Sequence, residues 1–426
     1  MSDPLAPTSP PPLAAASANA GAATTLHRMT PLEKRASFSL AAVFALRMLG
    51  LFLVLPVFML EARQMPGGDD PALVGLAMGA YGLTQALMQI PLGLASDRFG
   101  RKRVILLGLA VFALGSVVAA WAPNVEMLLL GRAVQGAGAI SAAVTALLAD
   151  LTRDEVRTKG MALIGASIGL MFALSLVVAP PLAGAMGLTG IFGLTTLLAL
   201  GGMAVVLLWT PAEPTHLAST PRGRLRDVLW HPALWRLNLG VFALHAVQLA
   251  MWMAVPALLT QTGLLAADHW QVYLPAVLAS FVLLGGLFAL ERRGHLRSVL
   301  RGAVALLLLV QLGFLLVASS GPALWPLAVL LFVFFVSFNI LEASQPSLVS
   351  RLAPPESRGA ALGVYNALQS LGFFAGGAVG GWLVKWGGTQ VLFLACGLLV
   401  LAWLVLGWSQ PVPAAPKGQQ AAQSPA

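Results

Sequence analysis

Twelve runs of roughly twenty mostly apolar residues, parted by short charged or turn-rich segments, leave this chain few ways to fold. They lie at about Phe38–Leu60, Ala72–Ala95, Val104–Trp121, Val125–Leu148, Lys159–Ala185, Gly190–Thr210, Leu237–Thr260, Val272–Leu290, Ser298–Val317, Ala323–Val349, Gly359–Val384 and Thr389–Trp408, numbered here as spans 1 to 12. A helix rises ~1.5 Å per residue, so about 20 residues cross a ~30 Å hydrocarbon core. Each run is long enough. With 58% hydrophobic and 10% charged residues and a mean hydropathy of +0.84, a soluble domain could not hide so much apolar surface. Barrel strands need about ten residues alternating apolar and polar, and these runs are longer and apolar on all sides. The expected fold is an all-α membrane protein of twelve transmembrane helices.

The net charge of +9 invites a nucleic-acid reading, and its distribution argues against one. With both termini placed in the cytoplasm, cytoplasmic segments hold 21 of the 25 Lys and Arg residues. Arg63 and Lys385 fall outside, and Arg47 and Arg132 lie within spans. That is the positive-inside bias. The outer loops carry acids instead: Glu61, Asp69, Asp70, Glu126 and Asp268. Cys396 is the single cysteine, which excludes an intrachain disulfide and a cysteine metal site. Residues 1–36 and 410–426 are rich in Pro, Ala, Ser or Gln and read as disordered cytoplasmic tails. No signal peptide precedes span 1, and Met29 is a second possible start.

The longest internal loop, 211–236, divides the chain into bundles at 37–210 and 237–409. The halves repeat each other. "DRFGRKR" (97–103) follows span 2 and "ERRGHLR" (291–297) follows span 8; Glu155-x-Arg157 follows span 4 and Glu356-x-Arg358 follows span 10. Two parallel six-helix halves imply a pseudo-two-fold axis along the membrane normal and a binding site between the halves near the midplane. Gly165 and Gly169 in span 5, and Gly372, Gly376 and Gly380 in span 11, are expected to let helices pack closely. Pro180–Pro181 is expected to kink span 5.

Gly93-x-x-x-Asp97-Arg98-x-Gly100-Arg101-Lys102 resembles the signature loop of the major facilitator superfamily. Leu128-x-x-x-Arg132-x-x-Gln135-Gly136-x-Gly138-Ala139 is similar to that family's second motif, while Ala179-Pro180-Pro181-Leu182-Ala183-Gly184 is a degenerate form of its antiporter motif. "RMLGLFLVLPVF", "YGLTQALMQIPLGLASDRFGRK", "GRAVQGAGAISAAVTALLADLTRDEVRTK" and "FNILEASQPSL" resemble the YajR-type subgroup from about Met29 to Trp408. Many members of that subgroup add a small soluble domain after span 12, where this chain has a short tail. Span 1 also carries Arg47 where many drug antiporters have an acid.

The resemblance implies a cytoplasmic latch. Asp97 would face the start of span 11, whose helix dipole is worth about 0.3–1 kcal/mol to a carboxylate, with Ser357 a possible N-cap. Arg101 would pair with Asp150, and Gly93 and Gly100 would allow close approach and a sharp turn. The plainer alternative is a topogenic loop, although an anchor of cations gains nothing from Asp97. Ions inside spans are costly and mark functional candidates. Arg47 and Glu342 lie at similar depth in opposite halves, to pair across the cavity or to be satisfied each within its own half. Glu342 is the one carboxylate well inside a span and the best proton carrier. The family likeness gives Arg132 a part in proton transfer; as an arginine stays protonated, it would tune a neighbouring acid or hold a water.

Polar and aromatic stripes at helical spacing face protein or a wet cavity. They are Tyr81, Gln85 and Gln89; His245, Gln248 and Trp252; Phe335, Asn339, Glu342 and Pro346; and Tyr365 and Gln369. They suit amphiphilic compounds or serve as interhelical hydrogen bonds, and His245 by itself reads as a packing group. There is no P-loop, metal-ligand spacing or nucleophile setting, so neither an enzyme nor a cofactor is expected. The expected protein is a monomeric, multi-pass bacterial inner-membrane transporter with a small-molecule substrate, protons and lipid as partners. Export of hydrophobic or amphiphilic compounds against protons is favoured; import of a polar solute with protons, and a non-transporting receptor, are the alternatives.

Overall fold

The computed structural model describes residues 28–213, 228, 231–290, 295–354 and 357–410, with the side chains of 287–290 excepted. Most of both expected tails, Arg222, Arg224 and Arg226 of the long loop, Glu291–Gly294 of the second repeat and Glu356 lie outside the described residues.

Among the described residues there is no strand, and ten helical stretches are long and apolar enough to cross a bilayer. Two of these are of double length. Asp154–Leu208 has 55 residues and Arg358–Gly407 has 50, and a straight helix of 50 residues would measure ~75 Å, more than twice the core. Each turns back at a glycine whose backbone no other residue adopts cheaply: Gly187 (φ 61°, ψ −166°) and Gly388 (φ 71°, ψ −171°). Counted by crossing, the spans number twelve. The two glycines occupy the same place in each half, between spans 5 and 6 and between spans 11 and 12. The backbone stays helical through Pro180–Pro181 and breaks only at Gly187.

Span 1 begins at Pro31, earlier than its apolar run, because Thr30 and Glu33 form a capping box. The Glu33 carboxylate also accepts from Arg153 (Nε to Oε1, 2.8 Å), tying span 1 to the connection between spans 4 and 5. Span 1 unwinds at Leu53–Val57 before the short helix Phe58–Ala62, and span 4 breaks between Val125–Ala137 and Ser141–Leu151. The other crossings are Pro71–Phe99, Arg101–Ala120, Pro232–Gln261, Trp270–Leu290, Leu296–Ser320 and Leu324–Leu352.

The repeat is visible where the halves end. Arg35 Nε donates to the Trp209 carbonyl (2.7 Å), and Arg236 Nη1 donates to the Ser409 carbonyl (3.2 Å). Equivalent arginines at the starts of spans 1 and 7 thus hold the chain leaving spans 6 and 12.

Two faces follow: a basic face carrying residues 97–103 and 150–157, and a far face carrying Asp70 and Lys385. The halves meet at the far face. There spans 2 and 11 touch backbone to backbone; a Cβ on Gly377 would lie 2.6 Å from the Gly75 oxygen and 2.7 Å from the Gly79 nitrogen. Lys385 Nζ donates to Asp70 Oδ2 across the same seam (2.7 Å). At the basic face they part: Gly359 and Gly363 of span 11 and Gly165 of span 5 have nothing within 4 Å of where a Cβ would stand. The molecule is closed at the far face and open at the basic face. Gly165 and Gly169 do not pack backbone to backbone as expected: Gly165 has nothing within 4 Å of where a Cβ would stand, and Gly169 has only the Phe281 ring of span 8 at 4.0 Å. Gly372 and Gly376 do pack, against Phe242 and Ala246 of span 7.

Candidate functional site

The first half buries two arginines beneath the opening. Arg47 is fully buried, and its Nη2 donates to the Tyr81 hydroxyl (2.8 Å), Gln85 Oε1 (3.0 Å) and the Gly138 carbonyl (3.5 Å). The break in span 4 places Gly138 at the end of its helical segment, so its carbonyl is available. Arg132 donates from Nη1 to Gln135 Oε1 (2.8 Å) and stacks over Tyr81, 4.9 Å from the ring centroid. Gln135 in turn donates to Ser116 Oγ (2.7 Å). The network is not complete: Arg47 Nε and Nη1 and Arg132 Nε are buried without a hydrogen-bond partner.

The second half places its one deep carboxylate among partners. Glu342 Oε2 lies 3.2 Å from His245 Nε2, and Gln369 Nε2 lies 3.3 Å from Glu342 Oε1 and 2.7 Å from His245 Nε2. His245 Nδ1 is 2.9 Å from the Val241 carbonyl, which can only accept, so Nδ1 carries hydrogen and Nε2 of the neutral ring is bare. His245 is buried; the Glu342 side chain keeps 35% of its exposure and reaches the opening. Arg47 and Glu342 do not pair: each is held within its own half in this conformation. The halves are joined one residue away, where Gln85 Nε2 donates to Ser370 Oγ (2.8 Å). One chain of contacts thus runs from Glu342 and His245 through Gln369–Ser370 to Gln85 and Arg47.

Above it, towards the far face, aromatic rings from both halves close the space. Phe172 of span 5 packs edge-on against Phe52 (5.2 Å between centroids) and Phe335 (6.0 Å), and His245 lies against Phe338 (5.9 Å) and Phe373 (4.9 Å).

Of the residues expected to line a cavity, the structure brings Tyr81, Gln85, His245, Tyr365 and Gln369 to this network or its edge; the Tyr365 hydroxyl lies 3.5 Å from Gln345 Oε1. The other five are packed between helices in this conformation. Trp252 and Phe335 are fully buried, Gln248 is 2% exposed, and Asn339 spends its amide on Ser280 Oγ (2.9 Å). With the far face shut, these positions are packed between helices and face no opening. Gln89 is buried likewise at 3% exposure.

At the basic face, span 2 ends at Phe99 and Gly100 (φ 99°) turns the chain, so Arg101 opens the next helix. It still pairs with Asp97, and its Nε lies 3.2 Å from Asp150 Oδ2. Arg98 lies over its neighbour Phe99, and Lys102 donates from Nζ to the Thr210 carbonyl (3.0 Å) and from its backbone to Glu213. A Cβ on Gly93 would meet only Ala142 at 3.4 Å, so no close approach uses it here. Ser357 donates to the Pro354 carbonyl instead of capping span 11. Asp97, Arg101 and Asp150 lie together on the first half.

Sequence reasoning missed Ser370, the Phe172 cluster, Glu213 and the Asp70–Lys385 pair. The available signal was weak: Ser370 adjoins a flagged glutamine, and Asp70 and Lys385 are an acid and a base in outer loops 315 residues apart.

A family profile described as Major Facilitator Superfamily matches residues 36–377 and 341–425. The chain is 41% identical over 392 residues to the inner membrane transport protein YajR of Escherichia coli (strain K12), covering 91% of this chain and 86% of that one. It is 29% identical over 367 residues to the multidrug resistance protein MdtH of Aeromonas hydrophila, covering 84% and 88%. The crystal structure of a D-xylose–proton symporter superposes with a TM-score of 0.69 at 17% identity, covering 89% of this chain and 98% of that one. The chain belongs to the major facilitator superfamily: it is a multi-pass membrane transporter for small molecules, and not an enzyme.

Proposed function

We propose that this protein exchanges protons for small hydrophobic or amphiphilic compounds, expelling them across a bacterial inner membrane by alternating access. The basic face lies in the cytoplasm on the positive-inside rule, so the conformation described is open inward. The observation that carries the reading is the contact of Glu342 with His245 and Gln369, one residue from the Gln85–Ser370 bond between the halves.

Taking up a proton at His245 Nε2 turns that nitrogen from acceptor to donor. Gln369 then loses its acceptor there, and the new N–H points to Glu342. Span 11 is rearranged at the residue beside Ser370, so the protonation state acts on the bond that joins the halves. Two conformations a few kcal/mol apart need no more than this. Glu342, about one-third exposed, presents a carboxylate to a compound entering from the cytoplasm, beneath aromatic rings that are buried in this conformation and would have to part to take up its apolar portion, a combination that suits amphiphilic cations. The drug-resistance name of the MdtH relative supports the substrate class. Asp97, Arg101 and Asp150 engage span 11 when the basic face closes.

Purified protein in liposomes with an imposed pH gradient tests this. Amphiphilic cationic dyes should drive proton flux, and Glu342→Gln should cut it at least about a hundredfold, the scale of a lost proton-transfer group. Solute uptake in the direction of the protons would make the protein an importer. Dye binding with no flux under any gradient would make it a receptor.

A further inference from the structure

Spans 7, 9, 10 and 12 border a shallow cleft at the basic face of the second half. Arg236, Arg297 and Arg301 stand at its rim, with Trp403 and Trp408 along one wall and leucines of spans 7, 9 and 10 as its floor. Among the described residues no carboxylate pairs with any of these arginines. Arg236 and Arg301 are steadied by the carbonyls of Ser409 and Trp408, and Arg301 lies over the Trp408 ring, 4.3 Å from its centroid. Gln345, 2% exposed, lines the inner end, and Gln410 has a buried side-chain oxygen without a partner.

In the first half the chain leaving span 6 brings a carboxylate of its own to the basic face. "WTPAE" (209–213) leaves span 6 as "WSQPV" (408–412) leaves span 12. Glu213 folds back onto the backbone amide of Lys102, beside Gly100, while Lys102 Nζ holds the Thr210 carbonyl. That half supplies its own anion. In the second half the aligned residue is Val412, outside the described residues, and positions 409–426 contain no Asp or Glu.

We propose that the anion of the second half comes from the membrane: the cleft binds an anionic phospholipid, its phosphate held by Arg236, Arg297 and Arg301 and an acyl chain laid along the leucine floor. Arginine forks match phosphate oxygens, and basic pockets between spans on the cytoplasmic side are where such headgroups bind. The apolar floor and the two tryptophans at the depth of the membrane interface select a lipid over a free ion. The site does not depend on which compound is transported.

Native mass spectrometry of the full chain in detergent, after addition of phosphatidylglycerol or phosphatidylcholine, reads the occupancy. Phosphatidylglycerol should be retained several-fold more than phosphatidylcholine. Arg236→Gln and Arg297→Gln should each weaken its retention about fivefold. Gln410→Glu keeps every cation and places a carboxylate in the cleft, and it should weaken retention as much. Arg103→Gln, at the position aligned with Arg297 in the first half, should change nothing. Equal retention of the two lipids, or retention untouched in all the variants, would reduce the arginines to topological anchors. Displacement by inorganic phosphate at the same concentration would make the cleft a site for a soluble anion and overturn the lipid assignment.

Discussion

Glu342 shares its polar contacts with His245 and Gln369, and that small group explains why a carboxylate is tolerated deep in a span: Gln369 donates to Oε1, the opening keeps part of the side chain wet, and Oε2 faces His245 Nε2, where a proton taken up by the ring would give it a donor. Asp70 does a different job. It is an exposed acid at the N-cap of span 2, and the Lys385 ammonium holds its carboxyl below the ordinary carboxylate range. The pair forms across the seam and so supports far-face closure. Because the value is lowered, that support is whole at pH above the ordinary carboxylate range and is lost as pH falls through the lowered value. Both side chains are about two-fifths exposed, so the pair is worth on the order of 0.2–1 kcal/mol after screening. Spin labels across the far face should therefore report more open molecules in strong acid or high salt. Asp70→Asn should show at neutral pH a comparable shift, at most about fivefold in the open-to-closed ratio, and lose the acid response.

Helices decide the conformation through their glycines. Span 11 presents Gly372 and Gly376 to span 7, within its own half, and Gly377 and Gly381 to Gly75 of span 2, in the other half. The first pair was legible as a four-residue repeat; the second was not, since a helix shows which residues share a face and never which neighbour that face meets. Gly377→Val adds side-chain atoms where only backbone fits. Overpacking of this kind costs about 1–3 kcal/mol, here charged against the far-face-closed state alone. The variant should shift the balance towards far-face opening by roughly 5- to 150-fold, read by labelling of single cysteines along the far ends of spans 2 and 11. The same change at Gly363, which has open space in this conformation, should leave those labels unmoved.

For the whole molecule, alternating access needs a seam at each face that holds in turn. The far seam is built: glycine contacts, Asp70–Lys385 and the Phe172 cluster. The residues of the near seam sit on the first half, with Arg101 between Asp97 and Asp150, and Gly359 near the start of span 11 has open space where a Cβ would stand. Asp97→Asn should slow transport about tenfold, the effect of removing roughly 1.4 kcal/mol from one of the two states, without loss of membrane insertion. Normal transport by that variant would leave the loop a topological anchor.

The chain alone determined the class of fold, the number of crossings and the repeat, because hydrophobic length and charge bias act locally and are written residue by residue. It also marked Glu342, Arg47, Arg132 and Asp97, since an ion in or beside lipid stands out against its surroundings. Only the tertiary structure decided their partners. His245 lies 97 residues from Glu342, and Gln85 lies 285 residues from Ser370. Pairing at such separations is set by how helices are tilted and rotated, which depends on the summed packing of many small side chains. The same packing chose which face is open, and so which of the expected cavity residues are buried.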